Sequence, residues 1–176
     1  DAHTLGHRYI VVPAPPAGLE HRPSISGYER FADQMNRIAQ SVAAAGVTLC
    51  YHNHDFEFRP IGREVPYDVL TEKMDRSIVL EVDLYWMIHA GRDPLEYFAR
   101  WPGRIRMVHV KDTLGPPTGA MTDVGMGVTD WRRIFAQHSQ AGIEHYFVEN
   151  DDALEGLKSA AVSFAYLRNL TPTAAR

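Results

Sequence analysis

Short apolar runs rich in β-branched residues recur along the chain: RYIVVP (8–13), VTLCYHN (47–53), SIVLEVDLY (77–85), RIRMVHV (104–110) and HYFVEN (145–150). Each has the length and composition of a strand. Between them the apolar positions change period. Over 28–45, Phe31, Met35, Ile38 and Val42 share one helical face, and helical spacing returns over 67–74, 94–101, 131–141 and 153–170. Gly46, Gly103 and Gly142 each precede a strand, where a helix ends in left-handed backbone, while Asp93-Pro94 and Thr129-Asp130 have the chemistry of helix starts. Strands apolar on both faces and separated by helices predict a parallel sheet of right-handed β-α-β units, the five strands adjacent and the helices packed outside.

Composition adds little to that picture and excludes some partners. With 176 residues, 45% of them hydrophobic and 23% charged, the chain is expected to form a single domain over 1–176. A formal charge of −4 gives no basic footprint, so neither nucleic acid nor an anionic membrane is expected as a partner. Cys50 is the only cysteine, which excludes an intrachain disulfide and fits a reducing compartment. No apolar run approaches the roughly eighteen residues of a membrane span, and the opening residues lack a signal-peptide layout, so the expected location is the cytoplasm.

The stretch TLCYHNHDFEF (48–58) changes the question, because an apolar strand runs directly into two histidines, an asparagine and two acids. In parallel β/α architectures chemistry collects at the carboxyl ends of the strands. Those ends carry His52, Asp83, His109 and Glu149, one ligand-type side chain on each of the last four strands. Two imidazoles and two carboxylates are the donors that one divalent ion such as Mn, Co, Mg, Fe or Zn accepts, with positions left for substrate oxygens.

The runs YHNHDFEF, EVDLYWMIHAGRDP, VHVKD, GMGVTDW and YFVEND, in this order, resemble the sugar phosphate isomerase/epimerase family of xylose-isomerase-like TIM barrels. The resemblance implies a (β/α)8-type barrel whose divalent metal is held by Glu, Asp, His and Glu at the ends of strands five to eight, the two glutamates also moving protons. Asp83, His109 and Glu149 match that set, whereas His52 stands where the family has its first glutamate. His54 or Glu57 are the alternatives should position 52 not bind. A complete barrel usually takes about 250 residues. RYIVVP falls in the register of a fourth strand, so about five C-terminal β/α units are expected, the first three lacking. The chain is then expected to be either an N-terminally incomplete piece or a half-barrel covering its open edges with another chain or a second copy of itself.

The remaining positions are ambiguous from sequence. Lys111 shares the phase of His109 and either meets a substrate oxygen or forms a surface pair with Asp112. Glu81 shares the phase of Asp83 one layer lower and is expected to support the ligands. Trp86 offers either a stacking face for a sugar or a core side chain. Gly125-Met126-Gly127 only weakly suggests a phosphate loop and is expected to be a flexible connection. His3, His7, His21, His89, His138 and His145 have no comparable grouping.

The expected chemistry is that of a metal-dependent isomerase or epimerase acting on a keto-sugar or related polyol. A cation chelating two neighbouring substrate oxygens acidifies the adjacent C–H bond, and Glu149 removes the proton to give an enediolate. His52 returns the proton or assists a leaving group. Expulsion of a leaving group, from a keto-sugar or a 3-keto-glycoside, would make the enzyme a lyase or dehydratase. A non-catalytic sugar-binding module and an apurinic-site nuclease are the other classes, and the acidic balance disfavours the nuclease.

Overall fold

A computed structural model describes residues 2 and 4–170; His3 lies outside them. Five parallel strands form one curled sheet: β1 (Tyr9–Val12), β2 (Thr48–His52), β3 (Val79–Asp83), β4 (Ile105–Val110) and β7 (His145–Val148), in that spatial order. A short antiparallel ribbon, β5 (Asp112–Thr113) with β6 (Met121–Thr122), stands off the end of β4. The helices are α1 (Ala17–His21), α2 (Ile25–Ala43), α3 (Pro66–Lys73), α4 (Leu84–His89), α5 (Pro94–Arg100), α6 (Trp131–Phe135), α7 (His138–Ala141) and α8 (Gly156–Leu170).

The alternation of the strands sets the two faces. Tyr51, Leu80, Val82, Val108 and Val110 enter the apolar core together with Tyr28, Phe31 and Met35 of α2 and Tyr67 and Leu70 of α3. Burying such a side chain fully contributes about 1.5–3 kcal/mol, so this layer supplies most of the driving force. The intervening residues His52, Glu81, Asp83 and His109 therefore share the opposite, concave face. Register puts Glu81 level with His52, and Asp83 level with His109. At the other end of the sheet, Arg104 is buried and donates to the carbonyls of Thr71, Met74, Asp75 and Ile78, fastening the end of α3 to the start of β3.

The elements depart from the sequence expectation in several places, three of them between β3 and β7. The third strand stops at Asp83 and not at 85, because the Asp83 side chain caps α4 by accepting from the Trp86 amide at 3.1 Å. The stretch 131–141 forms two short helices, α6 and α7, rather than one. Gly142 ends α7 at φ 87°, and a Cβ there would lie 2.8 Å from Gly103 Cα, so the two pre-strand glycines also make a close backbone approach.

The third departure is the segment after β4. Asp112 is buried, and its carboxylate accepts from the amides of Thr113 (2.8 Å), Gly125 (2.9 Å), Thr129 (3.2 Å) and Gly127 (3.3 Å) and from Trp131 Nε1 (2.9 Å). The expected flexible connection is thus wrapped around an anion, and that anion is the protein's own carboxylate. Gly127 is required by space, since a Cβ would fall 2.3 Å from Asp112 Oδ1. Asp123 fastens the other side of the segment, accepting from Asn150 Nδ2 at 3.0 Å and from the Ser159 hydroxyl of α8.

Candidate metal centre

Asp83 is the most constrained residue of the concave face. Its backbone N–H donates to Asn53 Oδ1 (3.1 Å) and its carbonyl accepts from Asn53 Nδ2 (3.3 Å), so the residue following His52 clamps it in place. Oδ1 is engaged as the cap of α4, which leaves Oδ2 facing the cavity. Oδ2 is buried and accepts no hydrogen bond, although the Lys111 ammonium stands 3.2 Å away. Burial holds the Asp83 carboxyl above its ordinary range despite Lys111 beside it. One ammonium does not offset the desolvation of this carboxylate.

Two imidazoles face the same oxygen. His52 Nε2 and His109 Nδ1 each lie 3.8 Å from Asp83 Oδ2. Their other nitrogens meet a single carboxylate: Glu81 Oε2 is 3.2 Å from His52 Nδ1 and 3.5 Å from His109 Nε2. With Nδ1–H of His52 directed at Glu81, the lone pair of His52 Nε2 points toward Asp83 Oδ2, whereas His109 faces Glu81 through Nε2 and donates from Nδ1 to Glu149; burial works against its charge, but Glu81, Asp83 and Glu149 outweigh it and raise its pKa. Burial raises Glu81, but the two histidines outweigh it and hold its carboxyl at about 2, so it is an anion at neutral pH. His52, Asp83 and His109 offer ligand atoms all within 4.8 Å of one another, a set able to hold a metal ion. The orphaned oxygen and the two oriented imidazoles fit a borderline divalent cation.

Glu149 closes the ring from just beyond β7, with Oε2 2.5 Å from His109 Nδ1 and 2.9 Å from Lys111 Nζ. Burial works against its charge, but Lys111 foremost, then His109 and Asp151, bring its carboxyl down to about 2. Lys111 itself is 3% exposed and contacts Asp83, Glu149 and Asp151, which rules out a surface pair with Asp112. Burial lowers its pKa, and the three carboxylates more than reverse that. His54 lies edge-on to His52 with ring centroids 5.0 Å apart, and 6.0 Å from the ring of Trp86. Trp86 is only partly buried, with Lys111 Nζ 5.8 Å from its centroid, so it stands beside the cluster and not in the core.

Glu57 is the exception among the expected site residues. It is wholly buried, accepting from the Tyr51 hydroxyl and from the His54 amide (2.5 Å), on the helix side of the sheet. It therefore neither lines the cavity nor replaces His52, because its carboxyl group holds the loop from behind. Asn53, Asp112 and Asp151 were not singled out by the sequence. Each directly follows a residue that was or lies two beyond it, a proximity that could have flagged them.

Residues 1–169 match the family described as xylose isomerase-like TIM barrel. The chain belongs to that family. Among its relatives is the inosose dehydratase of Geobacillus thermodenitrificans strain NG80-2, 27% identical over 147 residues that make up 72% of this chain and 49% of that protein. The inosose dehydratase of Clostridium perfringens strain 13 is 25% identical over 165 residues, 82% of this chain and 55% of that one. The chain thus spans about half the length of the curated relatives it matches. The crystal structure of a sugar phosphate isomerase/epimerase from Parabacteroides distasonis superposes with TM-score 0.77 at 25% identity, covering 93% of this chain and 58% of that one. The IolI protein with a bound zinc atom shares the fold, with TM-score 0.68 at 16% identity over 96% of this chain and 64% of that one. The five curled parallel strands are accordingly part of a xylose isomerase-like barrel, with the cluster at the carboxyl ends where such barrels carry their chemistry.

Proposed function

We propose that this chain carries the active site of a divalent-metal-dependent isomerase or epimerase that removes a proton next to the carbonyl of a keto-sugar or related polyol. The observation that supports it is the convergence of His52 Nε2, His109 Nδ1 and Glu149 Oε2 around the orphaned Asp83 Oδ2. These four side chains would hold the ion, which when bound polarises a substrate carbonyl. Glu149, ionised at neutral pH and at the exposed rim, is the proton acceptor through the carboxylate oxygen that the ion leaves free. Where Asp83, His109 and Glu149 hold the ion without it, His52, fixed by Glu81 through Nδ1, presents Nε2 as the second proton-handling atom. Lys111 stands where negative charge develops on a substrate oxygen, while His54 and Trp86 form an aromatic wall for the sugar.

A second reading, dehydration, is favoured by the inosose dehydratase relatives and by His52 itself, since an imidazole at the family's glutamate position can donate a proton to a departing hydroxyl. The two share proton abstraction and diverge afterwards. The test is NMR of the purified protein with Mn²⁺ in D₂O, offered a ketohexose series and inosose. Deuterium entering the α position with every hydroxyl retained supports epimerisation or isomerisation, and loss of water supports dehydration. Glu149→Gln, checked for bound metal, should slow exchange by about a hundred- to ten-thousandfold. Sugar binding without exchange on any substrate would leave a binding module in place of an enzyme.

A further inference from the structure

The Lys111 ammonium stands on ground the cation needs. Nζ lies 3.2 Å from Asp83 Oδ2 and 2.9 Å from Glu149 Oε2, both oxygens of the proposed ligand set. It also lies 3.2 Å from Asp151 Oδ2, which is outside that set. A divalent ion bonded to both ligand oxygens sits about 2.0–2.2 Å from each. With Lys111 held as it is, two like charges would be crowded against the same pair of oxygens in a site whose lysine and aspartate are nearly inaccessible to water. Such an arrangement is relieved only if the ammonium gives way.

The residues beside Lys111 show where it can go. Asp83 is fixed by Asn53 and by its capping of α4, so the aspartate does not follow the lysine. Asp151 sits at the exposed rim, its side chain 43% accessible, and already receives the ammonium. The Trp86 ring also lies beside the ammonium, with its centroid 5.8 Å from Nζ. We propose that Asp151 is a positioning residue that draws Lys111 off Asp83 and Glu149 when the divalent cation binds, so that lysine and metal occupy the site together. Lys111 stays charged throughout and changes only its partners. The ammonium is thereby kept at the cavity wall, available to a substrate oxygen, without contesting the ligands. This inference rests on the reading of the cluster as a metal centre.

Calorimetric titration of Mn²⁺ into the purified protein, with folding of each variant checked by circular dichroism, separates the possibilities. Asp151→Asn should weaken Mn²⁺ binding by about ten- to a hundredfold, the range seen when a residue supporting metal ligands is lost. Lys111→Met should tighten binding, and in that background Asp151→Asn should have no further effect, because no ammonium remains to be drawn aside. Equal weakening by Asp151→Asn with and without Lys111 would overturn the proposal, since Asp151 would then act as a ligand or through its charge alone. Unchanged affinity in Asp151→Asn would overturn it while leaving the metal centre intact. Absence of Mn²⁺ binding by the unmodified protein would instead remove the metal centre itself, and this inference with it.

Discussion

Burial decides the charge of Glu57. With no water contact, its carboxyl is pushed up to about 8, although the Tyr51 hydroxyl and the His54 amide both favour the ionised form. The folded chain therefore holds a proton that the unfolded chain, with an ordinary value of 4.5, releases. Below pH 4.5 both states keep it, and between 4.5 and about 8 only the folded state does. Stability contributed by this group thus falls as pH rises through that window, by up to about 1.4 kcal/mol per pH unit. Glu57→Gln reproduces the protonated carboxyl, with the amide N–H donating to Tyr51 and the amide oxygen accepting from His54. Urea unfolding of this variant between pH 5 and 8 should show a flatter pH dependence than the parent chain. Parallel slopes in the two proteins would mean that Glu57 is ionised in the fold. His54 owes its place in the cavity to this hidden residue.

At the level of elements, the segment from β5 to α6 depends on Asp112. Five donors meet one buried carboxylate there, and hydrogen bonds to a charged group contribute about 1.5–3 kcal/mol each. Asp112→Asn sets an amide N–H against N–H donors, and should destabilise the protein by about 2–4 kcal/mol in denaturant unfolding. It should also open 114–130 to limited proteolysis at a stage when the rest of the chain is intact. Protection equal to the parent's would show that the clamp on Asn150 and Ser159 suffices. This segment also marks where the sequence stopped being legible. The five strands, their parallel order and the strand-end positions of His52, Asp83, His109 and Glu149 follow from periodicity, because each short apolar run between helical stretches marks a strand. Nothing local announces that Asp112 will collect amides from positions 13, 15 and 17 residues away, nor that Asp83 will end its strand by capping α4. Glu57 misled for the same reason: its inward or outward turn is set by a short 3-10 turn that has no repeating pattern.

Across the whole molecule, the curl of the sheet brings its first and last strands within reach. Tyr9 Oη donates to Glu144 Oε2 at 3.0 Å, Arg8 meets His145 Nε2 at 3.3 Å, and the rings of Tyr9 and His145 lie edge to face at 5.9 Å. These contacts join residues 135 and 137 positions apart, at the end of the strands opposite the candidate metal centre. Closing so long a loop is entropically costly and is rewarded only by contacts that follow it. The consequence is kinetic. The β-α-β units can assemble neighbour by neighbour, each on local connections, while the lacing at the base waits until all five strands are present. A contact absent from the folding transition state is felt in the unfolding rate alone. Tyr9→Phe should therefore speed unfolding by about two- to fivefold in stopped-flow experiments and leave the refolding rate unchanged. A slower refolding limb would instead place the closure of the arc early. With the base closing last, the four strand ends of the candidate metal centre are already in register before the arc is drawn shut, and the site is built ahead of the vessel that encloses it.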